Sequence, residues 1–300
     1  MKSNPKALQI ILLTVLVLIW GSSFILMKRG LDVYTSSQVA AIRMVISFLC
    51  LFPFAIMHLK KVPKSQWKYI IAAGLCGNGI PAFLFTKAET ELSSSIAGVL
   101  NTMTPVFTLI VGVLFFKLRT TGMKVLGIFL GFLGAVCMIL YNAKGGIDSN
   151  YLYGIFVLIA CLFYSLSANI IKIHLGNIKT IHLSGFALFA VGPPSAIYLF
   201  STDFIHRVSS GHAALISLFY VLVLGIFGTA IALILFNKLL KTSSVLFASS
   251  VTYFIPAVAI LWGVLDGEKL GIMHLIGFIT ILAGVYLINR KSYIDSSRNQ

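Results

Sequence analysis

Long apolar runs separated by short polar connections dominate the chain. Each run has roughly 17–25 residues, the length that an α-helix needs to cross about 30 Å of hydrocarbon. The runs do not alternate between apolar and polar positions, as the strands of a membrane barrel do. The pattern therefore predicts an all-α membrane protein with ten transmembrane helices, at 7–27, 36–58, 67–87, 93–116, 122–141, 151–172, 181–201, 213–236, 243–264 and 271–289.

The composition supports the bilayer as the solvent of this chain. Of 300 residues, 58% are hydrophobic and 10% are charged, whereas about a quarter of the residues of a soluble domain are charged. The four cysteines lie within apolar runs and lack the spacing of a zinc site or a disulfide framework. We therefore expect no metal and no cofactor.

The distribution of basic residues predicts the orientation. With the amino terminus in the cytoplasm, sixteen Lys and Arg fall on the cytoplasmic side and six on the other, while seven of the eight acidic residues fall on the outer side. This positive-inside bias explains the formal net charge of +15 without nucleic acid as a partner. We expect a multi-pass protein of the cell inner (plasma) membrane, with both termini cytoplasmic.

The second half of the sequence repeats the first. A shift of 151 positions aligns 12 identical residues within 74–114, including Pro105 with Pro256. A shift of 144 aligns 20–28 with 164–172. A single shift held without gaps across two helices makes a chance match improbable, so the sequence predicts a true internal repeat.

The repeat has a geometric consequence. Each repeat contains five helices, and this odd number places the second repeat upside down relative to the first. Inverted repeats are typical of secondary transporters, whose site lies near the bilayer midplane between the repeats. We expect two inverted five-helix repeats, at 1–143 and 150–290, joined by a linker at 144–149 and followed by a cytoplasmic tail at 291–300.

Several short motifs occur in a fixed order along the chain, and each is degenerate on its own. They are Trp20-Gly21-Ser22-Ser23-Phe24, Ala41-Ile42-Arg43, the segments 97–105 and 248–256, and Gly267-Glu268 followed by Gly277 and Gly284. Together they resemble the drug/metabolite transporter superfamily, specifically the EamA-type ten-helix transporters, over 7–290. The resemblance implies export of amino acids or other metabolites. One departure is Phe116-Lys117, where the family often has a Gly-Glu pair.

Polar and aromatic residues within the apolar runs are the candidates for substrate binding. A charge at membrane depth usually faces the bundle interior, so Arg43 is a candidate contact for an anionic group, although pairing or snorkelling explains it as well. The amides either line a cavity or form interhelical hydrogen bonds, and the aromatic residues either line it or anchor at the lipid interface. The candidates are Trp20, Ser23, Arg43, Asn78, Asn101, Tyr164, Asn169 and Tyr253.

Asn101 is the strongest single candidate, in a central cavity that we expect helices 1, 3, 4, 6, 8 and 9 to surround. Pro105 and Pro256 lie within helices, where a proline removes a backbone hydrogen bond and bends the helix. They are candidate hinges for gating, or they simply shape the bundle.

The repeat and the resemblance together predict a secondary transporter that moves a small metabolite, an amino acid or similar, by alternating access, and more specifically an exporter. The sequence lacks HExxH and the other motifs of enzymes, so we expect no enzymatic activity. The alternatives are a lipid flippase- or scramblase-like carrier and a multidrug efflux protein. The expected partners are the small-molecule substrate and membrane lipids, with the protein a monomer or a homodimer.

The acidic residues bear on energy coupling, because none lies inside an apolar run. We expect Glu89, Glu91, Asp266 and Glu268 at outer helix ends, where water keeps the pKa of a carboxyl group near its ordinary value of about 4. Amides, hydroxyls, aromatic rings and Arg43 favour a neutral, zwitterionic or anionic ligand over a lone cation. We therefore expect uniport, or export driven by the substrate's own gradient, and no antiport against protons.

Overall fold

The computed structural model describes residues 5–57, 62–116, 120–142, 152–268 and 271–289. Every regular element in these ranges is helical, as expected of a chain in lipid, where a helix satisfies its own backbone N–H and C=O groups. The predicted all-α membrane fold is confirmed at this level. The linker predicted at 144–149 and the tail predicted at 291–300 lie outside the described residues.

The main helices follow one another along the described part of the chain. They are α1 (Lys6–Leu31), α2 (Ser36–Ile56), α3 (Lys64–Ala88), α4 (Ser94–Phe116), α5 (Gly122–Asn142), α6 (Tyr153–His174), α7 (Thr180–Phe200), α8 (His212–Thr242), α9 (Val245–Leu265) and α10 (Ile272–Asn289). Eight of them, all except α5 and α10, are long and apolar enough in their described residues to cross a membrane. Each helix overlaps one of the predicted runs.

Two of the helices widen at corresponding points of the chain. α3 contains a π-helical segment at Leu75–Gly79, and α8 contains one at Leu224–Ile231. The two segments overlap under the shift of 151 positions that aligns the two halves of the sequence. Segments of this kind are frequent at functional sites, and both border the central cavity described below.

The helices α4 and α9 also share their irregularities. Ser93 and Ser244 cap the two helices, each accepting a hydrogen bond from the backbone N–H three residues later, at 3.3 and 3.1 Å. A 3₁₀ segment interrupts each helix, at Asn101–Met103 in α4 and at Ser250–Tyr253 in α9. The same departures from a regular helix therefore occur once in each half of the chain.

The two prolines predicted as hinges follow these 3₁₀ segments. Pro105 has no N–H, so the carbonyl group of Asn101 lacks its helical donor. That carbonyl oxygen accepts instead from the backbone N–H of Thr104 and from its hydroxyl group, the latter at 2.8 Å. Pro105 and Pro256 are both buried, which is where the bilayer tolerates an interrupted helix. Their role as hinges remains a prediction.

The two halves of the chain interlock in the bundle. α1, from the first half, packs against α8 and α9, while α6, from the second half, packs against α3 and α4. α2 packs against α7 and α8. Large apolar side chains such as Leu114, Phe129 and Phe219 remain exposed on the outside of the bundle, as suits a surface that faces lipid tails.

Glycines bring α5 and α10 into close backbone contact. A Cβ atom on Gly134 would lie 2.7 Å from the carbonyl oxygen of Gly277 and 2.8 Å from the side chain of Ile281. Gly127 and Gly284 approach each other in the same way. Small residues at such contacts allow helices to pack in lipid, where the hydrophobic effect does not drive helices together.

We expect Gly134→Ala to lower the free energy of unfolding by about 1–3 kcal/mol, because a methyl group forced against backbone cannot be relieved by a rotamer change. The matched control is Gly122→Ala in the same helix, where a Cβ atom would meet nothing within 4 Å. Thermal melting of the detergent-purified variants measures the difference. Equal melting temperatures for the two variants would show that the α5–α10 contact is looser than the structure has it.

Candidate functional site

A cavity lies in the middle of the bundle, between helices from both halves of the chain. Residues of α1, α2, α3, α4, α6, α8 and α9 line it. The space open to the centres of water molecules is about 110 Å³, which is enough for several waters or a small organic molecule. The cavity combines an apolar wall with a few polar side chains, as small-molecule sites do.

Six of the eight candidate residues come together in this cavity. They are Trp20, Ser23, Arg43, Asn78, Asn101 and Tyr164. The other two, Asn169 and Tyr253, do not line it. Asn169 is buried elsewhere in α6, where its Nδ2 donates to the carbonyl oxygen of Ser165 at 2.9 Å.

Among the described residues, Arg43 is the only charged one that lines the cavity. Its side chain is 8% exposed, and its Nε donates to the hydroxyl oxygen of Thr229 at 2.6 Å. Among the described residues, neither Nη1 nor Nη2 makes a hydrogen bond to the protein. One turn later, Ser47 ties α2 to α8 through a hydrogen bond to the carbonyl oxygen of Gly225 at 2.8 Å. The guanidinium group is thus held by one bond while its two terminal nitrogens stay available for a carboxylate.

Two amides add neutral hydrogen-bonding groups. The side chain of Asn78 is 8% exposed and makes no hydrogen bond within the described residues. Asn101 accepts a hydrogen bond from the hydroxyl of Thr104 through Oδ1 at 3.3 Å, while its Nδ2 has no hydrogen bond to a described residue. Because both residues line the cavity, their open amide groups can serve a polar ligand or water.

Aromatic pairs form two parts of the wall. Trp20 donates from Nε1 to the carbonyl oxygen of Gly228 at 3.1 Å, and its ring lies 5.2 Å from that of Phe236. Phe85 and Tyr164 stack with ring centroids 5.8 Å apart. These contacts fix the orientation of large apolar surfaces around the polar groups.

The lining residues correspond between the two halves of the sequence. Under the shift of 144 the matching positions are Trp20 with Tyr164 and Ser23 with Ser167; under the shift of 151 they are Gly77 with Gly228, Asn78 with Thr229, Phe85 with Phe236 and Asn101 with Thr252. All twelve residues line the cavity. Arg43 has no such counterpart, since α7 contains no Lys, Arg, Asp or Glu.

The internal alignment could have identified the lining residues that sequence reasoning missed. Thr229, which holds Arg43, occupies the position aligned with Asn78. Thr252 occupies the position aligned with Asn101, whereas the proposed Tyr253 is one residue further on. Tyr253 was predicted for its aromatic ring, but the structure places the hydroxyl group of Thr252 at the cavity instead.

A cluster of charges joins the two halves at one end of the bundle. The ammonium group of Lys28, in α1, lies 2.6 Å from Asp266 and 3.1 Å from Glu268, both in the connection after α9. Arg29 forms a second ion pair with Asp266. Glu268 also accepts hydrogen bonds from the start of α4, including one from the hydroxyl of Ser95 at 2.6 Å. We name Lys28, Arg29, Asp266 and Glu268 the charged cluster.

The carboxyl groups of the charged cluster are held in the ionised form. The hydrogen bond from Lys28 lowers the pKa of Asp266 below its ordinary value. Burial acts to raise the pKa of Glu268, but hydrogen bonds from Ser95 and Lys28 outweigh it, so that this pKa is also lowered. The cluster therefore persists as a set of ion pairs at neutral pH.

Glu89 contradicts the expectation that water surrounds the acidic residues. Its side chain is 6% exposed, and neither carboxylate oxygen has a hydrogen-bond partner among the described residues. Burial, with the charge of Glu268 adding to it, raises the pKa of Glu89 well above the ordinary value. Glu91, two residues further on, is exposed as expected. Glu89 and Glu91 are equally close to the loop in the sequence, so the sequence does not indicate which of the two the fold buries.

The described residues contain no group of three or more His, Cys, Asp or Glu side chains that could hold a metal ion. The chemistry of the cavity therefore consists of one guanidinium group, amides, hydroxyl groups and aromatic rings. Such a set can bind and orient a small polar molecule.

Comparison with known proteins bears on these features. A family model described as the EamA-like transporter family matches residues 7–140 and again residues 152–290. An uncharacterized transporter of Archaeoglobus fulgidus is 27% identical over 94% of this chain and 98% of its own length. The uncharacterized inner membrane transporter YedA of Escherichia coli K12 is 25% identical over 93% and 90%. The uncharacterized transporter YoaV of Bacillus subtilis is 24% identical over 90% and 92%.

The fold also has a match among solved structures. One protein crystal structure superposes with a TM-score of 0.64, covering 97% of this chain and 98% of that chain at 17% identity. At this level of identity the match concerns the fold alone.

We expect Glu268→Gln to lower the free energy of unfolding by about 1–3 kcal/mol, because it weakens charge-assisted hydrogen bonds at a side chain that is 6% exposed. Since the pKa of Glu268 is lowered in the folded protein, this contribution is present above the unfolded pKa of about 4.3 and is lost as the pH falls through the folded value. Melting curves of parent and variant should therefore converge on acidification.

The control for this variant is Asp32→Asn. Asp32 is 56% exposed and lies 3.8 Å from Arg29, so its replacement should change the free energy of unfolding by less than about 1 kcal/mol. Equal effects of the two replacements would contradict a structural role of the charged cluster.

Proposed function

Because the chain belongs to the EamA-like transporter family and is a membrane transporter with multiple membrane-spanning helices, we propose that it carries a small carboxylate-bearing metabolite, an amino acid or similar, by alternating access. The observation that carries this proposal is the open guanidinium group of Arg43 in a cavity between the two halves. A charge at this depth is costly and is typical of a substrate pathway. The fixed terminal nitrogens of an arginine suit a carboxylate group.

We propose further that all ten main helices cross the membrane, as two inverted five-helix repeats. Three observations support this proposal. The family model matches the chain twice, the π-helical and 3₁₀ segments occur once in each half, and six aligned pairs of residues line one cavity. Related repeats facing one site from opposite directions can exchange conformations and open it to either side in turn.

The charged cluster is well placed to close one end of the pathway. Its ion pairs link α1 and the start of α4, in the first half, to the connection after α9, in the second half. Opening the cavity at this end requires these contacts to separate. The loop charges and the positive-inside rule support an orientation with this end outside the cytoplasm, in which the ion pairs of the charged cluster favour closure to the outside.

Direction and location follow from the orientation and from the relatives. We propose that the protein lies in the inner membrane, like the inner membrane transporter YedA, with both termini cytoplasmic. We also propose that it exports its substrate, which is the direction implied by the family resemblance. Ion pairs that favour closure to the outside let the cavity load from the cytoplasm.

A thermal-shift screen of the purified protein tests the substrate class. Amino acids and other small carboxylates should raise the melting temperature, because a ligand that binds the native state stabilises it, whereas simple organic cations should not. Arg43→Gln should weaken carboxylate binding roughly tenfold or more, since charge-assisted hydrogen bonds contribute about 1.5–3 kcal/mol each. Counterflow of the same compounds in proteoliposomes then measures transport.

The control for Arg43 is Arg207→Gln. Arg207 pairs with Asp203 at 2.8 Å outside the cavity, so this variant should retain the ligand response. Stabilisation by cations alone would contradict the proposed substrate class. Flipping of a labelled lipid without counterflow of any soluble metabolite would favour a lipid carrier instead.

Single cysteines in a cysteine-free parent test the orientation. Cysteines in place of Asp32 and Asp203 should react with an impermeant thiol reagent in intact cells, because both positions are exposed and are proposed to face outward. Cysteines in place of the exposed Lys64 and Lys179 should react only after lysis. Reaction at Lys64 before lysis would reverse the proposed topology.

A further inference from the structure

Glu89 is an exception among the carboxyl groups near the charged cluster. Asp266 and Glu268 are ion-paired, whereas both oxygens of Glu89 are buried without a hydrogen bond among the described residues. A carboxylate without hydrogen bonds is costly to bury, while the neutral acid is much less so. In this conformation the side chain therefore favours the protonated form.

The charged groups that act on Glu89 belong both to the cavity and to the charged cluster. The positive charges of Arg43, in α2, and Lys28, in α1, favour the ionised form of Glu89, whereas the negative charge of Glu268 disfavours it. Burial is nevertheless the largest influence, and it raises the pKa of Glu89 well above the ordinary value. Glu89 thus responds electrostatically both to the cavity and to the end of the bundle that the cluster closes.

The remaining titratable groups nearby do not neutralise Glu89. Lys87, two residues earlier, directs its ammonium group over the ring of Tyr153 in α6, 5.5 Å from the centroid. Tyr164, also in α6, interacts electrostatically with Arg43. Glu91 is exposed. No ion pair among the described residues offsets the carboxylate of Glu89.

We propose that Glu89 is a proton-binding site of the transport cycle, protonated while the charged cluster is closed and deprotonated when that end opens to water. The proton comes from water, adds to one carboxylate oxygen, and returns to water on the side that opens. Proton binding stands on the burial of Glu89 alone, whereas its coupling to transport rests on the proposed function.

Arg43 links this proton to the ligand. The positive field of the guanidinium group favours the ionised form of Glu89. A carboxylate ligand bound to Arg43 offsets that field, so it increases the proton affinity of Glu89, and by reciprocity protonation strengthens binding of the anion. Proton and carboxylate therefore move in the same direction, and the sum of their two gradients sets the net flux. Export then proceeds when the outward gradient of the metabolite exceeds any inward gradient of protons, and it carries a proton outward.

Infrared difference spectroscopy of the purified protein tests the proton site without a ligand. Near neutral pH, the parent should show the carbonyl stretch of a protonated carboxylic acid, which disappears as the pH is raised. Glu89→Gln should lack this band, and the matched control Glu91→Gln should keep it. Arg43→Gln, which imitates an anion-occupied site, should move the midpoint to higher pH. A band that persists in Glu89→Gln would overturn the assignment.

Melting temperature gives a second readout that also reveals whether the variant folds. A carboxyl group whose pKa is raised in the folded state stabilises the protein below the unfolded pKa, and this stabilisation is lost as the pH rises through the folded pKa. The parent and Glu91→Gln should therefore lose stability on alkalinisation relative to Glu89→Gln. Identical pH profiles for the parent and Glu89→Gln would also overturn the assignment.

Proteoliposomes that enclose a pH-sensitive dye test the coupling, with an equimolar mixture of the protein amino acids added outside as the probe. In the parent, entry of labelled amino acid should acidify the lumen, and Glu89→Gln should admit amino acid without acidification. Entry into parent vesicles without acidification would overturn the coupling. If no amino acid enters, that contradicts the proposed substrate, and the infrared band still decides the proton site.

Discussion

The cost of an unsatisfied polar group in hydrocarbon governs this structure. In lipid the backbone must satisfy its own hydrogen bonds, so the described chain forms helices. Where a helix is interrupted, a protein group takes over the lost bond, as Thr104 does for the carbonyl oxygen of Asn101. The interruptions in α3, α4, α8 and α9 all border the central cavity. In these four helices, irregular backbone and polar side chains thus occur together at the cavity.

The same cost explains how few charges the interior contains. The lining of the cavity corresponds between the halves in six pairs of residues, yet Arg43, the one charged residue among the described lining residues, belongs to the first half alone. Glu89 has no acidic counterpart either, because the shift of 151 pairs it with Leu240. The lining is thus largely repeated between the halves, whereas its charge, Arg43, and the buried carboxyl group of Glu89 are not repeated.

The charged cluster shows a comparable asymmetry between the two halves. Glu268, which joins Lys28 to the start of α4, aligns with Lys117 in the first half. Lys172, which aligns with Lys28, donates instead to backbone carbonyl groups, including that of Leu240 at 2.9 Å. Lys28 therefore forms ion pairs, whereas the aligned Lys172 forms hydrogen bonds to backbone carbonyl groups. Ion pairs respond more strongly to pH and to nearby charge.

The sequence by itself determined the helices, their approximate ends and the correspondence between halves, because hydrophobic length and repeated residues are properties of the chain alone. It also identified Arg43, Asn78 and Asn101, since a polar group in an apolar run has few tolerable positions. Only the tertiary structure decided that Asn169 lies outside the cavity, that Thr229 holds Arg43, and that Glu89 is enclosed while Glu91 is not. The physical reason is that lipid is as apolar as a protein core. A membrane helix therefore has no polar face that would show which of its sides faces the bundle interior. Packing alone sets which way each side chain points.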